Sequence, residues 1–266
     1  MKTALTIGGS DSSGGAGIQA DLKTFTVLGV YGISTITAVT AQNTLGVKEV
    51  VQIEPAMIAR QIDTVASDIQ ADAVKTGMIG SAAAVEVVAD SIKRNSLQPY
   101  VCDPVMFAKS GDVLAKPDAI EAIKKKLLPL ATVVTPNLRE AAALVGGDAK
   151  LFDSVASCKD VARRLVDLGA KAAVVKGIVV DKQIVDLYFD GKEFLEFSSE
   201  IFPKEKSHGS GCAFSSAITA GLADGMGLVD SIDRAKQLVS MAIQYSDGQG
   251  RGTSPVNVIA FKPKKK

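Results

Sequence analysis

Residues 208 to 212 read His-Gly-Ser-Gly-Cys, which sets the chain's one histidine, two glycines, a hydroxyl and a thiol directly ahead of an apolar stripe at Phe214, Ile218 and Leu222. That stripe has the period of a helix. A helix starting at a glycine-bracketed segment bares consecutive backbone N–H groups, here those of Gly209, Ser210, Gly211 and Cys212, to a single anion. The aligned peptide dipoles add roughly half a positive charge at the same end. An oxyanion or a phosphate fits such a place. The same field is expected to lower the pKa of the Cys212 thiol and enlarge its thiolate fraction. The plainer alternative is a small cysteine packed under a sheet. His208 stands four residues from Cys212 across a glycine turn, with no Asn or Asp orienter evident, so it reads as a surface histidine and not as half of a Cys–His pair.

Three further segments carry unusual chemistry. GGSDSSGGAGIQAD, residues 8 to 21, follows the apolar run ALTI and contains GAGIQA, which formally fits a dinucleotide fingerprint at Gly15, Gly17 and Ala20. That fingerprint requires a tight turn straight into a helix and an acidic residue about twenty positions on, and neither is present. A loop that lines a ligand, with glycines permitting close backbone approach, is the better reading. In YVCDPVM, Asp103 ends an apolar run, where a carboxylate either holds a metal or a water or caps the turn before Pro104. In TVVTPNLREAAALVG, Asn137 and Glu140 have the spacing of a capping box, and one helical turn would put both side chains at the same end.

Those segments need a scaffold. Short β-branched or apolar runs (ALTI, ISTITAVTA, VVQIE, AVKTGMI, YVCDPVM, TVVTP, AAVVKG) alternate with helix-periodic stretches at 16–28, 55–70, 81–95, 116–128, 138–145 and 154–168. The alternation predicts an α/β fold, a mostly parallel sheet covered by helices on both faces. Residues 183–201 break it, because Asp190-Gly191 between two alternating runs predicts a tight hairpin at the sheet's edge. Helices after Cys212 and over 228–246 complete the chain, and no Pro/Ser-rich linker or repeat divides it, so residues 1–266 are read as one domain. Function in such sheets gathers at the loops leaving the carboxyl ends of the strands.

Composition narrows the class. The 266 residues are 47% hydrophobic, enough for a sizeable core, and the net charge of +1 advertises neither nucleic acid nor membrane. The terminal lysines 264–266 read as a solvated end. Three widely spaced cysteines and a single histidine argue against a disulfide scaffold or a zinc site. No 18-residue apolar stretch or signal-like segment occurs, and a cytoplasmic setting is the expectation.

Taken in order, GGSDSSGGAGIQADLKTF, TAQNT, KTGMIG, DPVMFAKSG, TPNLREA, VVKG, HGSGCAFSSAI and GRGTSPVN resemble the hydroxymethylpyrimidine/phosphomethylpyrimidine kinases of thiamin biosynthesis, members of the ribokinase superfamily. The likeness runs over about residues 3 to 257. It implies a ribokinase-like kinase that moves the γ-phosphoryl of ATP to 4-amino-5-hydroxymethyl-2-methylpyrimidine and then phosphorylates the monophosphate. It also implies site residues: Gly9, Asp21, Gln42 and Met78 on the pyrimidine, Asn137 and Lys176 on the nucleotide side, and Asp103 and Glu140 toward Mg²⁺. In the same likeness the Gly209–Cys212 amides offset charge on the transferred group and Cys212 accepts the hydroxyl proton, where related sugar kinases carry Asp. A homodimer is implied as well.

The chain departs from the family pattern at GSGCA, where GTGCT is usual, and at Lys176-Gly177-Ile178, where KGG is common. Pyridoxal kinase is the nearest alternative within the superfamily. An NAD-dependent oxidoreductase using GAGIQA and a ligand sensor without chemistry are the alternatives outside it.

Overall fold

The computed structural model describes residues 1–108, 111–202 and 204–262. Nine strands form one sheet in the order β3-β2-β1-β4-β5-β6-β7-β8-β9. The strands are β1 Thr3–Asp11, β2 Tyr31–Asn43, β3 Gly46–Gln52, β4 Ala73–Thr76, β5 Tyr100–Cys102, β6 Val133–Val134, β7 Ala173–Val180, β8 Gln183–Phe189 and β9 Phe194–Glu200. From β2 through β7 all neighbours run parallel, while β3, β8 and β9 join antiparallel at the two edges. The mostly parallel α/β architecture expected from the alternation is therefore present, and the sheet carries an antiparallel margin on both sides.

Helices are α1 Gly17–Val27, α2 Pro55–Ala66, α3 Ala82–Arg94, α4 Pro117–Ala122, α5 Leu138–Val145, α6 Val155–Asp167, α7 Ser210–Ala223 and α8 Leu228–Gln244. Side chains alternate along the strands, so Cys102, Val134 and Val175 enter the core beneath α2 to α6, while Val101, Val133 and Val174 enter the one beneath α7 and α8. A smaller cluster of Ala4, Phe25, Val30, Ala73 and Ala220 seats α1 and α7 against β1 and β4.

Several boundaries differ from expectation for identifiable reasons. The stretch 116–128 is not one helix: α4 widens into a π turn at Ile123–Leu127 and tightens into a 3₁₀ turn at Leu128–Leu130, where Pro129 cannot extend the helix. Strand β5 stops at Cys102: the Asp103 N–H still donates to the Thr76 carbonyl at 3.1 Å, but Pro104 has no N–H to continue the ladder. The edge hairpin has a four-residue loop, with Phe189 paired to Phe194 and Asp190 Oδ1 accepting from the N–H groups of Lys192 and Glu193 at 2.9 Å each. Strand β7 runs beyond the expected Gly177 through an irregularity between Val175 and Ile178, and Ile178 is fully buried in the core. The residue that departs from the family pattern there is thus a packing residue. Lys109 and Ser110 of the DPVMFAKSG segment and the terminal lysines 264–266 lie outside the described residues.

Candidate active site

The carboxyl ends of β1, β4, β5, β6 and β7 open, together with the start of α7, on one cleft of about 580 Å³. Gly9, Asp21, Gln42, Met78 and the Gly209–Cys212 segment line it on the β1–β2 side. Asp103, Asn137, Glu140 and Lys176 line it toward β6 and β7. Every site residue that the family likeness implies therefore borders the same space.

At its centre, α7 starts as the glycine pattern predicts. Gly209 has φ 78°, and a Cβ on it would collide with the carbonyl oxygen of Gly15, so only glycine fits. The first intrahelical bond runs from the Ala213 N–H to the Gly209 carbonyl at 2.9 Å, which leaves the Gly211 and Cys212 amides in the unpaired first turn. One amide departs from expectation: the Ser210 N–H donates to the Ser207 carbonyl at 3.2 Å. Its contribution to an anion cradle is correspondingly reduced.

Cys212 corrects the expectation of a lowered thiol pKa. The residue keeps some contact with the cleft, yet burial of its sulfur pushes the thiol up to about 12, against the pull of Lys75 and with a further push from Asp21 and Asp103. Loss of water, together with the two carboxylates, outweighs the Lys75 charge. The Gly17 N–H, bonded to the sulfur, works in the lowering direction.

Lys75 was not legible as a site residue. It is fully buried at the end of β4, where its Nζ donates to Asp21 Oδ1 at 2.8 Å. Asp21 also accepts from Ser216 Oγ and Thr6 Oγ1, each at 2.6 Å, so one carboxylate ties α1 to β4, α7 and β1. A lysine inside the apolar strand candidate AVKTGMI was the available signal, because a charge in a strand buried on both faces persists only when paired. Gly9 is close-packed as well: a Cβ there would stand 2.6 Å from Met78 Cε.

His208 is the second correction. It is buried, and its Nε2 lies 2.9 Å from Asp11 Oδ2 at the end of β1, so the missing orienter exists 197 positions away in sequence. Burial raises the Asp11 carboxyl, but bonds from His208, Ser13 and Ala16 prevail and hold it at about 2. The glycines of GAGIQA serve this packing. A Cβ on Gly15 would strike the His208 ring, and one on Gly17 would strike the Gly9 carbonyl. They make room for protein and not for a dinucleotide, which removes the basis of the oxidoreductase reading.

Across the cleft, Asn137 and Glu140 form the predicted capping box: Glu140 N–H donates to Asn137 Oδ1 at 3.0 Å, and Asn137 N–H to Glu140 Oε2 at 2.9 Å. Asp103 accepts from Ser215 Oγ at 2.9 Å, Lys176 Nζ at 3.2 Å and Thr135 Oγ1 at 3.3 Å. Burial pushes the Glu140 carboxyl up to about 7, with Lys176 pulling it down and Asp103 pushing it up. Beyond them, Gly177 N–H donates to Asp186 Oδ1 at 2.8 Å, and Lys236 of α8 donates to Asp186 Oδ2 at 2.9 Å.

Among the described residues no group of three or more His, Cys, Asp or Glu is placed to hold a metal alone. Two buried carboxylates sharing one lysine are instead a donor set for a hard cation that brings water and phosphate oxygens with it. The residues fit Mg²⁺ in that form.

An anion-seeking helix start facing a carboxylate pair across parallel strand ends is the layout of a ribokinase-like small-molecule kinase. The phosphomethylpyrimidine kinase family model matches residues 11–257, and the chain belongs to that family. It is 46% identical over 254 residues to the hydroxymethylpyrimidine/phosphomethylpyrimidine kinase of Rhizobium meliloti, covering 94% of each protein. It is likewise 46% identical to the thiamine biosynthesis bifunctional protein ThiED of Geobacter sulfurreducens, but there 97% of the chain spans only 52% of the relative's length. Among solved structures, an ADP complex of Bacillus subtilis pyridoxal kinase superposes with a TM-score of 0.89 at 38% identity over 98% of both chains. The Staphylococcus aureus pyridoxal kinase in complex with AMP-PCP and pyridoxal also gives 0.89, at 36% identity over 98% of this chain and 94% of that one. The Clostridium difficile phosphomethylpyrimidine kinase gives 0.80 at 40% identity, over 91% of this chain and 100% of that one.

Proposed function

We propose that the chain is an ATP-dependent kinase that phosphorylates 4-amino-5-hydroxymethyl-2-methylpyrimidine and then its monophosphate, acting as a single kinase unit in the cytoplasm and as a homodimer. The observation that carries the reading is the unpaired first turn of α7, with the Cys212 thiol beside it, opening on the same cleft as Gln42, Met78 and Lys176. Phosphoryl transfer asks the protein for alignment and charge compensation more than for covalent chemistry.

The residues divide the work as follows. Gly9, Gln42 and Met78 border the place for the ring, and the Gln42 amide offers a donor and an acceptor to an aminopyrimidine edge. Asp21 acts on that side through Lys75, which it holds charged under the cleft. Asn137 and Lys176 border the nucleotide, while Asp103 and Glu140 hold Mg²⁺ directly or through water. Bound there, Mg²⁺ supplies charge compensation for the nucleotide phosphates. The amides of Gly209, Gly211 and Cys212 hydrogen-bond the oxygens of the transferred group.

Cys212 takes the proton of the hydroxymethyl oxygen. A thiol held at about 12 is scarcely ionised at neutral pH, so a base of this kind makes turnover climb as the pH rises and the thiolate fraction grows.

A second reading, pyridoxal phosphorylation, is favoured by the pyridoxal kinases among the solved structures similar to this fold. An ADP-release assay with the pyrimidine alcohol, its monophosphate and pyridoxal side by side decides between them. Faster turnover of the pyrimidine alcohol is expected, and faster turnover of pyridoxal would overturn the assignment.

A further inference from the structure

The chain's one histidine joins two loops that the reaction must align. Asp11 closes β1 and organises the loop after it: its Oδ1 accepts from the Ser13 N–H at 2.9 Å and the Ser13 hydroxyl at 2.8 Å, and its Oδ2 accepts from the Ala16 N–H at 2.8 Å. Asp11 also donates its own N–H to Gln19 Oε1 at 2.9 Å, which fixes the loop to α1. His208 immediately precedes the Gly209 cap of α7. Its backbone is held on both sides, with its N–H donating to the Ser254 carbonyl and its carbonyl accepting from the Val256 N–H, each at 3.0 Å. The Nε2 to Asp11 contact, at 2.9 Å and buried, connects the two systems side chain to side chain, next to the Gly17 N–H that meets the Cys212 sulfur.

We infer that the Asp11–His208 pair is a strut that sets the β1–α1 loop against the start of α7, and that His208 is therefore a positioning residue for phosphoryl transfer, acting through Asp11 at the edge of the cleft. The inference rests on the kinase reading of the cleft. Gly9 and Gly17 belong to the first loop and Gly209 to Cys212 to the second, so the strut fixes the distance between the ring's place and the amide cradle. Glycine is required on both sides of the contact. Side chains at Gly15 and Gly209 would strike the His208 ring and the Gly15 carbonyl respectively, so the two loops interlock at van der Waals distance and leave no slack. Asp11 is ionised, which makes it the acceptor and puts the proton on His208 Nε2. A bond of that kind needs only an N–H at the Nε2 position. Glutamine provides one at a similar reach, whereas alanine provides none and asparagine is too short.

The test compares His208→Ala with His208→Gln by two readouts. Amide hydrogen exchange over residues 11–16 should quicken about tenfold in His208→Ala and return toward wild type in His208→Gln. With the pyrimidine alcohol, kcat should fall about tenfold or more in His208→Ala, the scale of a small misalignment of reacting groups, while KM for ATP stays within about threefold and His208→Gln recovers most of kcat. Should the alanine variant not fold, His208→Asn takes its place in both comparisons. Unchanged exchange, or a glutamine variant as slow as the alanine one, overturns the strut, the latter by pointing to imidazole chemistry. A wild-type enzyme inert toward the pyrimidine would sink the kinase reading instead, and the exchange comparison would still judge the strut on its own.

Discussion

The two ends of the cleft are built on opposite electrostatic plans. On the β1–β2 side each buried charge has its own partner inside the fold, Lys75 with Asp21 and Asp11 with His208, and the backbone between them is fixed by glycines that tolerate no side chain. On the β6–β7 side two buried carboxylates, Asp103 and Glu140, draw on the single Lys176, and Glu140 rises to about 7 in consequence of its burial and of Asp103. One end is a finished scaffold. The other is one positive charge short, which is the condition a bound cation relieves. The contrast teaches that residues bordering one ligand need not be alike in kind: some hold shape, and some wait for charge.

The comparison breaks most visibly at Lys75. Lys75→Met leaves Asp21 buried without its cation, and a loss of about 3–5 kcal/mol in stability is expected by urea denaturation. Adding Asp21→Asn should recover much of the stability and none of the activity; if the double variant were as unstable as the single, the pairing would not be what matters there. The charge-short end gives a smaller effect of a different sort. Glu140→Gln should weaken the apparent Mg²⁺ requirement curve by about ten- to a hundredfold with little change in stability. In the wild type, protons compete with the cation for Glu140, whose pKa is raised to about 7, so apparent Mg²⁺ affinity should climb between pH 6 and 8. Titrations of activity against Mg²⁺ at those two pH values check this, and a flat response would remove Glu140 from the cation's surroundings. Least of all is expected from Ile178→Val, about 1 kcal/mol of stability with KM for ATP unchanged, because Ile178 faces the core and not the nucleotide.

Much of this site was readable in the sequence where the signal is local. The Asn137–Glu140 box and the glycine-led start of α7 follow from spacing over a few residues, and both appear as expected. The alternation of strand and helix likewise gave the sheet's class and put Asp103 at a strand end, whereas Lys176 came from the family likeness and sits within β7, which runs on to Val180. What escaped was set by long-range packing. Lys75 meets Asp21 across 54 positions and His208 meets Asp11 across 197, and neither spacing announces itself along the chain. The expected lowering of the Cys212 thiol failed for the same reason, since the helix terminus is local and visible, whereas the sulfur's burial and the carboxylates of Asp21 and Asp103 come from elsewhere in the fold.

Cys212 is the proposed base beside the α7 amides, and steady-state turnover of the pyrimidine alcohol against pH tests that role most directly. With the thiol at about 12, wild-type kcat/KM should still be climbing between pH 7 and 9. Cys212→Asp should be flat over that range, and Cys212→Ala should be slower on the order of 10²-fold or more with ATP affinity by calorimetry unchanged. An alanine variant within about tenfold of wild type, or a wild-type profile already level at pH 7, would contradict the claim.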